Sequence, residues 1–409
     1  MEPDLQKRNR VDEFCEELAR RCNELRRQGL WRELRRVDSE QSSRMIIGGK
    51  LCINFSSNDY LGLASHPLLK EAAIKAVEKY GTGSGASRLI CGSLAPHHLL
   101  EEQIAQLKGV ESALSFSSGY LTAIGAICSI VGKDDVVLLD RLAHACLIDA
   151  AKLSGATLKV FRHNDINHLE SILKRLQNSG GNKKKILIVT ESVFSMDGDV
   201  APLKEIVELK ERYGGWLMVD EAHATGLFGK NRAGMISACG LNDLVEVQMG
   251  TLGKAIGSAG GFICGRKTLI DYLINRARSF IFTTAPSPAA AAAAAEGIKI
   301  IASDEGAVRH GMLQNLIDQF KNSSIGERFS LIKVESAIFP IILGTNEFAT
   351  GVAGHLMSNG YFIPAIRFPT VPRNSARLRI TITANHTPED IRSLTLALES
   401  AFNQFNLVR

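Results

Sequence analysis

The stretch Trp216-Leu217-Met218-Val219-Asp220-Glu221-Ala222-His223, residues 216–223, decides the fold class. Its apolar residues run without interruption and end at a carboxylate, which is typical of a strand that is buried on both faces of a parallel sheet. Ligands of open α/β sheets bind outside the carboxyl ends of the strands. We therefore predict that Asp220 closes a central strand at the edge of the sheet where a ligand binds.

Further short runs of β-branched or apolar residues alternate with amphipathic segments on both sides of this strand. Such alternation predicts an α/β fold whose mostly parallel sheet is covered by helices on both faces. The predicted strands are Ala113–Phe116, Val136–Asp140, Thr157–Phe161, Ile186–Thr190, Trp216–Asp220, Val245–Met249 and Gly261–Cys264. The helices predicted between them are Gly119–Val131, His144–Ser154, Leu169–Gln177 and Leu203–Tyr213.

The segments outside this alternation have other patterns. Apolar residues at helical spacing predict a helix or helical pair over Val11–Val37, which either packs as an arm on another subunit or lies on the surface. The alanine run Ala289–Ala295 predicts a helix between two domains. A smaller α+β unit follows, with predicted elements at Glu305–Phe320, Ile338–Leu343, Glu347–Ser358, Arg377–Thr383 and Pro388–Phe402. We expect an N-terminal helical arm and strand over residues 1–58, a large domain over 59–300 and a small domain over 301–409.

The composition excludes several classes of protein. A net charge of +5 over 409 residues is too mild to indicate nucleic-acid binding. The 8 cysteines form no CxxC pair, so they indicate no metal site, and they fit a reducing compartment. No signal-peptide pattern is visible and no apolar stretch reaches the length of a membrane span. We therefore expect a cytoplasmic protein that binds neither membrane nor nucleic acid.

Two motif matches fail on their context. Asp220-Glu221-Ala222-His223 spells a helicase box, but that function needs a phosphate loop ending in Lys-Ser or Lys-Thr. The nearest candidate, Gly253-Lys254-Ala255, has alanine at that position. Gly83-Ser84-Gly85-Ala86-Ser87-Arg88 begins like a dinucleotide motif, but it ends in arginine and follows a helical segment.

Asp220, His223 and Lys254 occur in this order, each just past a predicted strand. A lone aspartate at a strand end commonly caps a turn, and a lone lysine is commonly a solvated surface charge. Lys254, however, lies in the glycine-rich segment Gly250–Lys254, which lets a ligand approach the backbone closely, and a buried Asp220 needs a cationic partner. A protonated pyridine ring supplies that cation, and a lysine supplies the Schiff base. The three residues together therefore predict a site for pyridoxal 5′-phosphate (PLP).

The segment Ser117-Ser118-Gly119-Tyr120 lies between a predicted strand and a predicted helix. Backbone amides at a helix N-terminus bind phosphate groups, so this segment predicts a phosphate cradle. A simple N-cap by Ser117 or Ser118 is compatible with such a cradle. Thr251 offers a further hydroxyl to the phosphate. Tyr120 or His144 is placed to stack on the cofactor ring, although His144 alone also fits a buried, hydrogen-bonded histidine.

Several segments in the same order along the chain resemble the α-oxoamine synthases. They are Ile53–Leu63, Gly83–Arg88, Val193–Asp199, Asp220–Gly226 and Gly250–Lys254. The resemblance extends from about Arg32 to His386. It implies the PLP-dependent transferase fold type I, which is aspartate-aminotransferase-like, and a homodimer whose sites lie at the subunit interface.

Within the family, Ala365–Pro372 and Ala376–Thr381 are similar to the branch that acts in biotin synthesis. Members of this branch condense L-alanine with a pimeloyl thioester to give 8-amino-7-oxononanoate, with loss of CO₂. The acyl carrier, coenzyme A or acyl-carrier protein, is left open. Phe368 stands where this branch usually has proline, and it lies beside the implied acyl channel. The alternatives are a sibling synthase (glycine C-acetyltransferase, 5-aminolevulinate synthase or serine palmitoyltransferase) and a non-catalytic scaffold with the same fold.

The resemblance also implies a role for individual residues. It assigns the Schiff base to Lys254 and the protonated ring nitrogen to Asp220, and it places His144 on the ring face. The ring hydroxyl is assigned to Ser195 and His223, the phosphate to Gly119, Tyr120 and Thr251, the amino-acid carboxylate to Asn58 and Arg379, and the acyl substrate to Arg32 and Thr370. Thr283 or Thr284 is expected to reach a phosphate in the other subunit, although Ala285 follows where serine is common.

Overall fold

The computed structural model of the chain describes residues 10–178 and 184–406. Among these residues, five helices and strands precede the central sheet. They are helix α1 (Arg10–Arg27), strands β1 (Arg44–Ile47) and β2 (Lys50–Asn54), and helices α2 (Pro67–Tyr80) and α3 (Ala95–Lys108).

Helix α1 ends at Arg27, so the predicted helix or helical pair through Val37 is wrong in its second half. The reason is Gly29, whose φ is +64°. The amide of Leu30 then donates to the carbonyl of Leu25 at 2.8 Å, which closes the helix as a glycine C-cap does. No side chain of α1 is buried, which is compatible with both interpretations of this helix.

The central sheet of the described chain has seven strands, one for each strand that the sequence predicts. Its order is β3-β9-β8-β7-β6-β4-β5, and β9 runs antiparallel to both of its neighbours while the other pairs are parallel. The strands are β3 (Ser112–Phe116), β4 (Val136–Asp140), β5 (Thr157–Phe161), β6 (Ile186–Glu191), β7 (Trp216–Asp220), β8 (Val247–Thr251) and β9 (Gly261–Gly265). The helices between them are α4 (Gly119–Ile130), α5 (Ala145–Leu153), α6 (Ile166–Asn178), α7 (Leu203–Tyr213) and α8 (Met235–Ala238).

Helices cover both faces of this sheet, as predicted. Alternate residues of β4 belong to different apolar clusters, because successive side chains of a strand point to opposite faces. Val137 and Leu139 pack with residues of α4 and α5, whereas Val136 and Leu138 pack with residues of α6 and α7. This double burial explains why the strands read as continuous apolar runs.

Strand β8 lies two residues later than predicted. Its register pairs Asp220 of β7 with Met249, and it continues because Thr251 pairs with Gly261 of β9. Thr251 is therefore the last residue of the strand instead of a residue of the following loop. The carboxyl ends of β7 and β8 lie side by side at the same edge of the sheet.

The rest of the chain forms a smaller unit with two three-stranded sheets, β10-β13-β12 and β1-β2-β11. The second sheet joins the N-terminal strands to the C-terminal part, so the predicted boundaries at 58 and 300 stay predictions. In the described parts of the chain, no helix has both the length and the apolar character needed to cross a bilayer. The remaining elements are α9 (Lys267–Arg276), α10 (Arg278–Ile281), α11 (Pro288–Ala302), α12 (Asp304–Lys321), α13 (Ser324–Arg328), β10 (Ile338–Gly344), α14 (Asn346–Ser358), β11 (Tyr361–Phe362), β12 (Ala365–Ile366), β13 (Ala376–Thr381) and α15 (Pro388–Gln404).

Candidate active site

Two buried carboxylates end neighbouring parallel strands, because Glu191 of β6 and Asp220 of β7 are register partners. The Asp220 carboxylate accepts one hydrogen bond, from the amide of Ala222 at 2.9 Å, and it forms no ion pair within the described residues. Burial raises the pKa of Asp220 above its ordinary value. Burial and the charge of Asp220 raise the pKa of Glu191 to about 8. Two buried carboxylates on neighbouring strands favour the binding of a cation beside them.

The amine of Lys254 lies beside this pair, on the turn that follows β8. Its Nζ atom is 3.0 Å from Nε2 of His223. Burial lowers the pKa of Lys254, and the charges of Asp220 and Glu191 oppose that effect. Uncharged lysine is a nucleophile and a base, so the burial of this side chain favours its chemical use.

The imidazole of His223 is held from its other side by Tyr60. The two side chains are buried, and the Tyr60 hydroxyl lies 2.6 Å from Nδ1 of His223. Burial lowers the pKa of His223 well below its usual range, with Lys254 and Arg379 acting in the same direction. Burial raises the pKa of Tyr60 to about 12. Both groups are therefore uncharged near neutral pH.

A buried arginine approaches the site from the small unit. Arg379 of β13 donates to Oδ1 of Asn58 at 3.0 Å and to the carbonyl of Ser195. Arginine is the side chain best suited to bind a carboxylate through two parallel hydrogen bonds. The structure thus brings together three residues that the sequence predicts for substrate and cofactor binding.

His144 lies at the N-cap of α5, and its position depends on Glu191. The amide of His144 donates to Oε1 of Glu191 at 2.6 Å. The Nδ1 atom of the ring accepts a hydrogen bond from the amide of Cys146 at 3.2 Å, and the Sγ atom of Cys146 is 3.0 Å away. His144 is exposed, so it is not the buried core histidine that the sequence left possible.

The segment predicted to bind phosphate opens helix α4 at Gly119. Ser118 is its N-cap and accepts from the amide of Leu121 at 3.2 Å, so the N-cap interpretation is confirmed for Ser118. A Cβ atom added to Gly119 would lie 3.8 Å from Oγ1 of Thr251, which places the strand end against the helix N-terminus. The Tyr120 hydroxyl donates to Asp149 of α5.

Arg32 and Thr370, the two residues predicted to bind the acyl substrate, contact each other. Nη2 of Arg32 lies 3.4 Å from Oγ1 of Thr370, on a groove of 490 Å³ that Arg367 and Ile366 also line. No hydrogen bond within the described residues joins this pair to Lys254. Thr283 borders a small cavity and Thr284 is exposed, so their cross-subunit contact stays a prediction.

Two residues of this site received no role from the sequence. Glu191 could have been found, since it ends a buried strand by the same rule that selected Asp220. The predicted strand stopped one residue short of it. Tyr60 lies in a segment that carries the family resemblance, but its contact with His223 spans 163 positions and has no local signal.

The arrangement fits PLP on the chemistry of its donors. Within the described residues the buried Asp220 forms no salt bridge, and a protonated ring nitrogen would supply its cationic partner. The N-terminus of α4 and the Thr251 hydroxyl suit a phosphate group, and Lys254 suits a covalent bond to an aldehyde.

Comparisons with known proteins agree with this chemistry. The family model for aminotransferase class I and II matches residues 50–398. An 8-amino-7-oxononanoate synthase of Geotalea daltonii is 45% identical over 379 residues, which cover 92% of this chain and 94% of that relative. The enzyme of the same name from Geobacter sulfurreducens is 42% identical and covers 96% of this chain and 99% of its own.

Solved structures show the same fold. A serine palmitoyltransferase from S. paucimobilis, solved with a bound PLP–myriocin aldimine, has a TM-score of 0.90 at 28% identity and covers 98% of this chain and 100% of its own. An 8-amino-7-oxononanoate synthase from Francisella tularensis has a TM-score of 0.74 at 28% identity, with 87% of this chain and 99% of its own covered.

Proposed function

The chain belongs to the 8-amino-7-oxononanoate synthase family, within the class I and II aminotransferases, and from this membership we propose its reaction. The protein condenses L-alanine with a pimeloyl thioester and releases CO₂, the free thiol carrier and 8-amino-7-oxononanoate for biotin synthesis. The observation that carries the proposal is the amine of Lys254, which lies 3.0 Å from His223 beside the buried Asp220.

PLP is the cofactor, and when bound it supplies an electron sink for the carbanion at Cα of the amino acid. Lys254 would hold it covalently, and Asp220 would keep the ring nitrogen protonated because a buried carboxylate favours a cation. His144 would stack on the ring. Ser195 and His223 would hold the ring hydroxyl, and Gly119, Tyr120 and Thr251 would hold the phosphate.

The amino acid is oriented by Arg379 and Asn58. The guanidinium of Arg379 binds the alanine carboxylate, and Asn58 fixes the guanidinium through its 3.0 Å hydrogen bond. The Nζ atom of Lys254, as an uncharged amine, would remove the proton from Cα. The lowered pKa of Lys254, which results from its burial, keeps the amine available for this proton.

The acyl donor lies along the groove of Arg32 and Thr370. A pimeloyl chain carries a distal carboxylate or ester, so a basic groove favours it over a plain alkyl chain. Arg367 fixes one wall, because it donates to the carbonyls of Gly29 and Trp31 at 2.6 and 3.0 Å. Coenzyme A and acyl-carrier protein are both compatible with this groove.

Specific observations disfavour the alternative functions, which are a sibling synthase and a non-catalytic scaffold. The serine palmitoyltransferase structure shares 28% identity, whereas the synthase of Geotalea daltonii shares 45%. A substrate panel separates the sibling synthases. The non-catalytic scaffold is disfavoured because Lys254, Asp220 and His223 are present and lie together.

We also propose a cytoplasmic homodimer. Apolar side chains are exposed on two adjoining loops, with Ile90 at 78% and Phe282 at 70%, as expected for an interface between copies. The loops are joined by a hydrogen bond from the amide of Ala285 to the carbonyl of Ala86. All eight cysteines are free, which fits a reducing compartment. Sedimentation as a fully active monomer would refute the dimer.

The test is product analysis by mass spectrometry with alanine, glycine and serine against pimeloyl, acetyl and palmitoyl thioesters. We expect alanine with the pimeloyl donor to give the highest kcat/KM, with some activity on glycine because one methyl group discriminates by only about 1–3 kcal/mol. Lys254→Ala should be inactive, and the matched surface variant Lys267→Ala should retain full activity. If glycine with the acetyl donor is the best pair, the acetyltransferase alternative is correct.

A further inference from the structure

Four side chains form a row that starts at the amine of Lys254, and the two in its middle, His223 and Tyr60, are buried. Nζ of Lys254 is 3.0 Å from Nε2 of His223, and Nδ1 of His223 is 2.6 Å from the hydroxyl of Tyr60. The Tyr60 hydroxyl is also 3.4 Å from Oδ1 of Asn58. Tyr60 is 1% exposed, so its hydroxyl has no access to water that would replace these partners.

The lengths of these contacts favour one direction of donation for the Tyr60 hydroxyl. Oδ1 of Asn58 is the distant acceptor, and it already accepts from Arg379 at 3.0 Å. Nδ1 of His223 is much closer, so it is the acceptor of the phenol proton. A neutral imidazole carries one proton, and since Nδ1 accepts, that proton is on Nε2.

The position of this proton matters for Lys254. An ammonium group has three donors and no lone pair, so it cannot accept from Nε2–H of His223. An uncharged amine has a lone pair and can accept this hydrogen bond at the observed 3.0 Å. The direction of the row therefore selects between the two protonation states of Lys254.

We propose that Tyr60 is a positioning residue, which keeps the imidazole proton of His223 on Nε2 and so favours the uncharged, nucleophilic amine of Lys254. This inference rests on the role of Lys254 in the proposed function. Only the hydroxyl of Tyr60 performs this task. A phenylalanine would fill the same buried volume and would remove only the hydroxyl, with its hydrogen bond to His223.

Other titratable and charged groups lie near Lys254, and their charges also change the balance between its amine and ammonium forms. The carboxylates that end β6 and β7 favour the ammonium form, whereas the guanidinium of β13 favours the amine. Burial lowers the pKa of Lys254, and loss of the Tyr60 hydroxyl should let the carboxylates raise it. The groups are Asp220, Glu191, Arg379, His223, His144 and Cys146.

The test compares Tyr60→Phe with Tyr213→Phe. Tyr213 is the matched control, since its hydroxyl donates to Glu170 at 3.0 Å on the outside of the fold. The full chain, freed of cofactor with phenylhydrazine, is acetylated competitively over a pH series, and labelling of Lys254 is quantified by mass spectrometry. We expect the midpoint of Lys254 labelling to rise by about one pH unit in Tyr60→Phe, the equivalent of one hydrogen bond. An unchanged midpoint in Tyr60→Phe overturns the proposal.

Two further measurements complete the test. In the holoenzyme, the acidic limb of the pH profile for Cα–deuterium exchange of alanine should move upward in Tyr60→Phe by a similar amount. Nitrogen-15 NMR of the wild-type chain should find the proton of His223 on Nε2, and a proton on Nδ1 contradicts the proposal without any variant. Circular dichroism checks that each variant is folded. None of these readouts uses the acyl donor, so their failure leaves the condensation reaction to be judged by product analysis.

Discussion

Glu191 and Asp220 are register partners on neighbouring parallel strands, yet their carboxylates have different partners. Glu191 accepts from the backbone amides of His144 and Ser195, which ties two cofactor-binding segments to the sheet. Asp220 accepts from Ala222 alone among the described residues and is left for the cation of a ligand. Glu191 thus stabilises the protein structure around the site, whereas Asp220, at the equivalent position of the next strand, remains available for a ligand.

Asp220→Asn should separate chemistry from binding. We expect the rate of Cα–deuterium exchange of alanine to fall by about 100-fold or more, because a neutral amide does not keep the ring nitrogen protonated. Cofactor affinity should fall far less, since the phosphate contacts remain. Proton NMR measures the exchange, and Asp271→Asn on helix α9 is the control. Exchange at the wild-type rate would show that Asp220 has a different partner.

Arg32→Ala should weaken the binding of the acyl donor and leave the reaction with alanine unchanged. We expect KM for the pimeloyl thioester to rise about tenfold, the value of one charge-assisted hydrogen bond. Alanine exchange should be unchanged, because no hydrogen bond links Arg32 to Lys254 within the described residues. Arg36→Ala is the matched control, since Arg36 is exposed and pairs with Asp38. An equal effect on both variants would remove Arg32 from the acyl site.

The sequence predicted the sheet well for a physical reason. Strands such as Val136–Asp140 are buried on both faces and therefore need apolar residues at every position. The errors occurred where a single residue or a neighbouring strand determines the geometry. Gly29 ends α1 by its positive φ, and the antiparallel neighbour β9 extends β8 to Thr251. Neither effect changes the apolar pattern on which the prediction depended.

The buried ion pair between Lys108 and Glu221 should stabilise the turn that carries Asp220. Nζ of Lys108 is 2.7 Å from Oε2 of Glu221 and 2.8 Å from Oγ1 of Thr225. Lys108→Met leaves a buried charge without a partner, so we expect a loss of about 3–5 kcal/mol in the free energy of unfolding. Urea denaturation measures this loss.

The double variant Lys108→Met with Glu221→Leu should recover much of that stability, because neither charge then remains buried alone. Lys267→Met is the control, since it removes an exposed pair worth under about 1 kcal/mol. A double variant that is as unstable as the sum of its single variants would show that the two charges do not interact.

His163 should make stability depend on pH at the alkaline end. Burial lowers its pKa, but hydrogen bonds to Asp140 at 2.9 Å and to Asp199 at 2.7 Å outweigh this and raise the pKa to about 10. The stabilisation from a raised pKa is complete below the pKa of the unfolded chain, about 6.5. It is lost as the pH rises from there through the folded value of about 10.

His163→Gln should therefore lower the stability of the fold by about 2 kcal/mol near neutral pH. The difference in Tm from the wild type should shrink as the pH approaches 10. His98→Gln is the control, because the ring of His98 contacts the hydroxyl of Ser93 and no carboxylate. A difference in Tm that stays constant with pH would contradict a charged His163.

Site residues could be predicted from the sequence where they lie at the end of a strand. They could not be predicted where they depend on packing between segments that are far apart in the sequence. Asp220 ends β7 and Lys254 follows β8, so their positions in the sequence indicate a shared edge. The contact of Tyr60 with His223 requires the segment after β2 to fold against the central sheet. No periodicity in either segment reports that contact.

The most direct test of the account is reduction of the purified protein with borohydride, followed by peptide mapping. We expect a yellow protein in which one pyridoxyl group is found on Lys254, whose amine lies 3.0 Å from His223 beside Asp220. Lys254→Ala should lose this label, while Lys267→Ala should keep it. A label on any other lysine, or a protein that takes up no cofactor, would contradict the account.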